Sequence, residues 1–239
     1  MNGLALTLLT CVVGACIQAA CGFGFGPVSM SVLPYLLPYQ QASSVTNLCT
    51  CTVSLIILVA NYRHVDIKMF MSCSLVAIIT APFAINLSVG AAKGMMMRGL
   101  GIALILMALY QMYFSGKIRI KACARNGIIA GFISGMLTGL FSMGSPPAAV
   151  YMISAAKDKD AYRATINAQF TFVAIIAVAT RYAKGLIGTE TFSSFAMCIP
   201  ALAVGYLIGA RIFKRLSAKQ IYFAVNVYLI LSGIMMFFK

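Results

Sequence analysis

Long apolar segments, separated by short polar breaks, constrain this chain more than any other feature. A helix of ~20 apolar residues spans the ~30 Å hydrocarbon core of a bilayer. Two segments, 27–38 and 146–156, are too short to cross at ~1.5 Å per residue, whereas eight are long enough. The pattern predicts an all-α membrane protein. The ten segments lie at about 3–21, 27–38, 44–61, 69–90, 98–114, 126–143, 146–156, 163–180, 191–209 and 220–238.

Composition agrees with a membrane protein. Of 239 residues, 62% are hydrophobic and 9% are charged, whereas soluble domains carry about 25% charged residues. A net charge of +14 would point to nucleic acid in a soluble protein. Here the basic residues follow the ends of apolar segments, which indicates topology determinants that face anionic lipid. We therefore expect the lipid bilayer as a partner and no nucleic acid. The first apolar segment has no basic stretch before it, so we expect a retained helix rather than a signal peptide.

The chain contains an internal repeat with an offset of 120 residues. Glycine, proline and asparagine recur at this offset, and such matches are harder to obtain by chance than matches between leucines. The sequence therefore predicts two homologous halves, residues 1–118 and 119–239. The matched pairs include Gly24 and Gly144, Pro27 and Pro147, Asn47 and Asn167, and Tyr62 and Tyr182.

The basic residues indicate how the halves are oriented. Placing the connections 62–68, 115–126, 157–163 and 211–219 on one side gives that side thirteen of the eighteen basic residues, so it should be cytoplasmic. Each half then has a hairpin that returns to its starting side, followed by three spans. The total is odd, so we expect two inverted-topology repeats, each a broken-helix hairpin plus three transmembrane helices. Whether the hairpins are re-entrant or cross fully is open. The thirteen are Arg63, Lys68, Lys117, Arg119, Lys121, Arg125, Lys157, Lys159, Arg163, Arg211, Lys214, Arg215 and Lys219; the other five are Lys93, Arg98, Arg181, Lys184 and Lys239.

A glycine- and proline-rich break precedes each short segment, GFGFGP at 22–27 and MGSPP at 143–147. Glycine permits unwound backbone, and proline is favourable in the first turn of the next helix. Two helix N-termini aimed into the membrane from opposite halves would form an anion site near its midplane. The alternative is a pair of kinks or close helix packing. The candidate residues are Gly22, Gly24, Gly26, Pro27, Gly144, Ser145, Pro146 and Pro147.

Two asparagines lie about twenty residues beyond the breaks. Asn47, with Thr50 nearby, and Asn167, with Thr171 one turn later, sit in the middle of equivalent segments. An amide inside a membrane helix faces the bundle, where it either donates to a bound oxyanion or bonds a neighbouring helix. Both readings remain open, and we include all four residues among the substrate-binding candidates.

The residue types that are missing narrow the mechanism. Acidic and basic residues are absent from the middle of the predicted spans, so we expect binding through neutral donors and helix dipoles. The eight cysteines show no CxxC or Cys/His spacing, and no nucleophile–base pattern appears. We therefore predict no enzyme, no cofactor and no metal, but a secondary transporter of a small anion. A passive anion channel is the main alternative, and a non-transporting assembly subunit is not excluded. A homodimer is possible.

The two breaks and the segments after them resemble the TauE/SafE sulfite exporter family over essentially the whole chain. The later segments LSVGAA (87–92) and LIGARI (207–212) match a further family motif, while Phe25 and the run Ser145–Pro147 depart from its glycine-rich pattern. The resemblance implies transport of sulfite or organosulfonates across the bacterial inner membrane by a multi-pass protein. The stretches that carry it are CGFGFGPVSMSVLPYLL (21–37), SSVTNLCTCTVSLI (43–56), GFISGMLTGLFSMGSPPAAVYMI (131–153) and RATINAQFTFVAII (163–176).

Overall fold

The computed structural model describes residues 2–114, 123–212 and 218–236. These residues form ten α-helices and no strand, so the predicted all-α fold is confirmed. A single 3-10 turn, Tyr62–His64, follows the third helix. The predicted boundary at 118/119 and the basic residues Lys117, Arg119, Lys121, Lys214, Arg215 and Lys239 lie outside the described residues. The helices are α1 Asn2–Cys21, α2 Phe25–Leu36, α3 Tyr39–Asn61, α4 Ile67–Val89, α5 Lys93–Phe114, α6 Ala124–Phe141, α7 Ser145–Ala155, α8 Lys159–Ala183, α9 Thr189–Ile212 and α10 Ala218–Met235.

Six of the described helices are long and apolar enough to cross a membrane, namely α1, α3, α4, α5, α8 and α9. Helices α2 and α7 have only 12 and 11 residues, which is ~17–18 Å of helix, about half of the hydrocarbon thickness. Large apolar side chains cover the outer faces of the bundle: Ile79 is 72% exposed and Val59 is 65% exposed. This surface suits lipid, and the chain is a multi-pass membrane protein.

The offset of 120 residues recurs in the helix boundaries. Helix α1 ends at Cys21 and α6 at Phe141. The helices that follow begin at equivalent positions as well, α2 and α7 at 25 and 145, and α3 and α8 at 39 and 159. The two halves therefore share one order of helices, long, short, then three long. Their opposite orientation in the membrane stays a prediction.

Small residues bring the halves into close contact at two places. On α6, a side chain at Gly131 or Gly139 would overlap the backbone carbonyl of a residue on α4. On α9, a side chain at Gly205 or Gly209 would do the same to α1. Because lipid offers no hydrophobic force between helices, backbone approach of this kind is a main source of helix association in membranes. Gly90, the counterpart of Gly209 in the shared motif, has open space around it.

Two of the four acidic residues start helices. The Asp66 carboxylate accepts backbone N–H groups at 3.0 and 3.1 Å in the first turn of α4. The Asp158 carboxylate accepts the Ala161 N–H at 2.7 Å in the first turn of α8. Such caps satisfy the free N–H groups of a helix end, and they account for acids placed just before long apolar helices.

Candidate functional site

The two breaks lie against each other. A side chain at Gly26 would overlap the carbonyl oxygen of Ser142 and lie 3.2 Å from the Cα of Met143. Gly22 and Ser142, which are equivalent under the offset, both have positive φ, 84° and 55°, and Ser142 is the only non-glycine residue in the described chain that does. Glycine adopts this region without steric cost, whereas serine is strained in it. Equivalent positions of the two chain reversals thus have positive φ with different residues.

Each asparagine bonds the break of the opposite half. The Asn47 amide donates to the Ser142 hydroxyl at 3.1 Å, and the Asn167 amide donates to the Gly22 carbonyl at 3.3 Å. Asn167 also donates to the Arg163 carbonyl at 2.9 Å. Asn47 is equivalent to Asn167 under the offset, and Gly22 is equivalent to Ser142. Each half therefore bonds the other through the same two positions.

A central cavity of about 30 Å³ lies where the breaks meet, which is room for one or two water molecules. Charged side chains are absent from its wall, which is built from glycines, neutral polar side chains and a few apolar ones. Its polar atoms include three buried groups that have no hydrogen-bond partner among the described residues: the hydroxyls of Thr50 and Ser145, and the amide oxygen of Gln169. The wall consists of Gln18, Gly24, Gly26, Asn47, Thr50, Ser134, Thr138, Ser142, Met143, Gly144, Ser145, Gln169, Phe170, Val173 and Ala174.

The predicted residues fall into three groups. Gly24, Gly26, Asn47, Thr50, Gly144 and Ser145 form part of the cavity wall. Gly22, Pro27, Asn167 and Thr171 are buried outside the wall, and the Thr171 hydroxyl donates to the Asn167 carbonyl at 2.8 Å. Pro146 and Pro147 line a different, apolar recess between α5 and α6.

The two short helices present unequal N-termini. The first turn of α2 has N–H groups at Phe25 and Gly26 before Pro27 removes the next one. The first turn of α7 has an N–H at Ser145, and then two prolines follow. The Gly144 carbonyl accepts the Ser134 hydroxyl at 2.6 Å. The two helix ends therefore differ, because α7 has fewer backbone donors and a hydroxyl instead.

Sequence reasoning missed five polar residues of the wall, namely Gln18, Ser134, Thr138, Ser142 and Gln169. The Gln169 amide donates to the Ser134 hydroxyl at 3.3 Å, and the Gln18 amide donates to the Asn167 side-chain oxygen at 3.4 Å. A signal was present, since an amide within an apolar helix needs a polar partner. Gln18 sits near the end of α1, and Gln169 lies two residues after Asn167.

The structure corrects the placement of one basic residue. The sequence argument assigned Arg181 to a polar connection between spans. It lies inside α8, two residues before the helix ends, and it is 0% exposed. Its side chain therefore faces neighbouring helices, whereas the sequence argument expected it to face lipid or water. Arg163, near the other end of α8, is half-buried, and its guanidinium donates to the Ala19 carbonyl at 2.8 Å.

Three cysteines come together although their spacing in the sequence gives no sign of it. The sulfur atoms of Cys11, Cys49 and Cys198 lie within 4.8 Å of one another. They are fully buried in a cluster that includes Phe25 and Val45. Buried neutral thiols behave as small hydrophobic groups, so we assign this cluster to the packing of α1, α3 and α9.

Comparison with known proteins places the chain in a family. The family model described as sulfite exporter TauE/SafE matches residues 6–236, nearly the whole chain. Searches of curated proteins and of solved structures found no similar chain. With its multi-pass helical fold and a family match over nearly its full length, the chain belongs to the sulfite exporter TauE/SafE family of membrane transporters.

Proposed function

We propose that the protein is a secondary transporter that moves a small sulfur-containing anion, such as sulfite or an organosulfonate, across the bacterial inner membrane. The observation that carries the proposal is the central cavity. The hydroxyls of Thr50 and Ser145, one from each half, have no hydrogen-bond partner in the described part of the chain, and they lie on its wall beside the N-termini of two short helices. Hydroxyl and N–H donors at positive helix ends are the groups that bind oxyanions. The substrate class comes from the family.

The size of the cavity favours a carrier over a passive channel. At about 30 Å³ it holds water but not a sulfonate. The anion therefore binds only after the two breaks separate, and it then replaces bonds such as that from Asn47 to Ser142. A carrier has such a closed state in its cycle. Flux that saturates with substrate concentration supports the carrier, and flux that rises linearly supports the channel.

Thermal stability of the purified protein tests the substrate class. A ligand that binds only the folded state raises the melting temperature, so we expect sulfite or a simple alkylsulfonate to raise it in detergent. Chloride at equal ionic strength is the control. If neither sulfur anion shifts melting, while uptake of another solute proves the protein competent, the sulfur-anion assignment is wrong.

We further propose that the two halves are inverted in the membrane. Tyr62 and Tyr182 are equivalent under the offset, and they are 60% and 64% exposed. The connection 62–68, which begins at Tyr62, belongs to the side that holds thirteen of the eighteen basic residues, so Tyr62 lies on the predicted cytoplasmic side and Tyr182 on the opposite side.

Cysteine labelling distinguishes the two orientations. Cys123 is exposed, so the background is Cys123→Ser, and Tyr62→Cys and Tyr182→Cys are introduced separately. We expect a membrane-impermeant maleimide to label Tyr62→Cys from the cytoplasmic side and Tyr182→Cys from the other. Labelling of both from one side would show parallel repeats.

A further inference from the structure

Arg181 is a fully buried cation in a helix that crosses the membrane, with 0% of its side chain exposed. A charged group inside a membrane protein is costly, and it is usually retained for a function. Arginine suits oxyanions in particular because its planar guanidinium donates two parallel hydrogen bonds.

The partners of Arg181 are all neutral. One guanidinium nitrogen donates to the Gln40 side-chain oxygen at 2.8 Å, and the other donates to the Gly139 carbonyl at 3.0 Å. The Nε atom is buried and has no partner among the described residues. The acids of the chain lie elsewhere: Asp66 and Asp158 cap helices, and Asp160 and Glu190 are exposed. Within the described residues, the charge of Arg181 therefore has no acidic partner.

Gln40 connects Arg181 to the surface. It lies in the wall of an open recess of about 560 Å³, between the start of α3 and the start of α5, and Lys93 lies in the same wall. The Gln40 amide also donates to the Ser88 carbonyl at 2.9 Å. One side chain thus borders both the recess, which has an exposed lysine, and the buried arginine.

Helix α8 connects Arg181 to the central cavity. Ala174 lies in the cavity wall, and Arg181 is seven residues further on, ~10 Å along the axis. Positions spaced by three or four residues lie on one helix face, and one such stripe starts at Arg163 and ends at Arg181, ~27 Å apart along the axis. The stripe consists of Arg163, Asn167, Phe170, Ala174, Ala177 and Arg181.

We propose that Arg181 binds the oxyanion as it passes between the recess beside Lys93 and the central cavity. The oxygens of the anion accept hydrogen bonds from the Arg181 nitrogen that donates to Gln40 in this structure, and from Nε. The anion also supplies the negative charge that the site lacks. Gln40 holds the guanidinium while the site is unoccupied. Arg181 thereby selects anions. The inference rests on the anion transport proposed above.

Uptake into proteoliposomes tests the role of Arg181, with sulfite and methanesulfonate as probes. We compare wild type, Arg181→Met, Arg181→Lys and the control Arg98→Met, which removes an exposed arginine from α5. Because hydrogen bonds to a charged partner are lost, Arg181→Met should raise KM by about tenfold or more. It should also remove the anion-induced rise in melting temperature. Arg181→Lys keeps the charge but loses the planar group that donates two parallel hydrogen bonds, so its KM should be intermediate. The control should behave as wild type.

A purely structural arginine gives a different result. If Arg181 only ties α8 to α3 and α6, Arg181→Met lowers the melting temperature without ligand but leaves KM and the anion-induced shift unchanged. Should Arg181→Met not fold, a wild-type KM in Arg181→Lys overturns the inference in the same way. If wild type itself neither transports nor is stabilised by either anion, the anion-transport proposal fails and this inference fails with it.

Discussion

Helices α3 and α8 occupy equivalent positions in the two halves, yet they differ in charge. Each has an asparagine that bonds the opposite break, Asn47 on α3 and Asn167 on α8. The described part of α3 has no charged residue, whereas α8 has Arg163 and Arg181 where α3 has serine and Asn61. The comparison teaches that the two halves share the backbone around the candidate site, while the second half supplies the two arginines that would attract an anion in the proposed transport.

The two breaks differ in a similar way. The first uses glycine at both positions of positive φ, Gly22 and Gly24. The second uses Ser142 at the first of these, and at the second Gly144 has a φ of −70°. Similar chain reversals therefore tolerate different residues, provided that the side chains find room and partners. Substitutions that exchange or enlarge these residues test which of the two halves limits transport.

The largest effect is expected from filling the contact between the breaks. Gly26→Ala would place a methyl group against the Ser142 carbonyl, and Gly144→Ala would place one against Thr138 and the Ser134 carbonyl. Overpacking costs about 1–3 kcal/mol, so both variants should melt at lower temperature and lose most of their transport. Thermal melting in detergent and uptake into proteoliposomes measure the two losses.

Gly94→Ala is the matched control, because the space around that residue is open. It should retain wild-type stability and flux. If Gly26→Ala also transports like wild type, close contact between the breaks is not needed for transport. The central cavity would then not be the place where the transport path closes.

Removing the asparagines should have an intermediate effect. Asn167→Ala leaves the Gly22 carbonyl without this donor, and the Gln18 amide loses an acceptor. Asn47→Ala removes one donor to Ser142. A buried polar group left unsatisfied costs about 1–3 kcal/mol, so flux should fall by about tenfold for Asn167→Ala and less for Asn47→Ala. Uptake is measured at equal amounts of inserted protein.

Asn61→Ala provides the control for the asparagine pair. Its amide donates to the Ile57 carbonyl one turn earlier, at the end of α3, so its loss should not change flux. Unchanged flux in both Asn47→Ala and Asn167→Ala would mean that the two asparagines only hold neighbouring helices together.

Much of the fold was predictable because membrane helices are specified by length and hydrophobicity. The short helices α2 and α7 begin at the predicted breaks, and the offset of the repeat recurs in the helix boundaries. The contacts between distant segments were not predictable. The burial of Arg181 depends on Gln40 and Gly139, which lie 141 and 42 residues away. No local pattern separates such an arginine from one that faces lipid headgroups.

The smallest effect is expected from exchanging the residues at the positive-φ positions. Ser142→Gly removes about 1–2 kcal/mol of left-handed strain. It also loses the hydroxyl that accepts from Asn47, bonds the Ser43 hydroxyl and donates to the Ser43 carbonyl at 3.1 Å, about 1 kcal/mol for each bond. The two effects partly cancel, so its melting temperature should fall only slightly. Gly22→Ser adds the strain, and its Cβ would lie 3.4 Å from the Tyr162 ring.

Gly22→Ser should therefore destabilise the protein by about 1–2 kcal/mol, and chemical unfolding in mixed micelles can compare it with Ser142→Gly. Equal losses in the two variants would mean that the Ser142 hydroxyl stabilises the second break by more than its strain costs. The second break would then be stabilised by the hydrogen bonds of a serine side chain, where the first break is stabilised by the conformational freedom of glycine. The two breaks would differ in the source of their stability as well as in sequence.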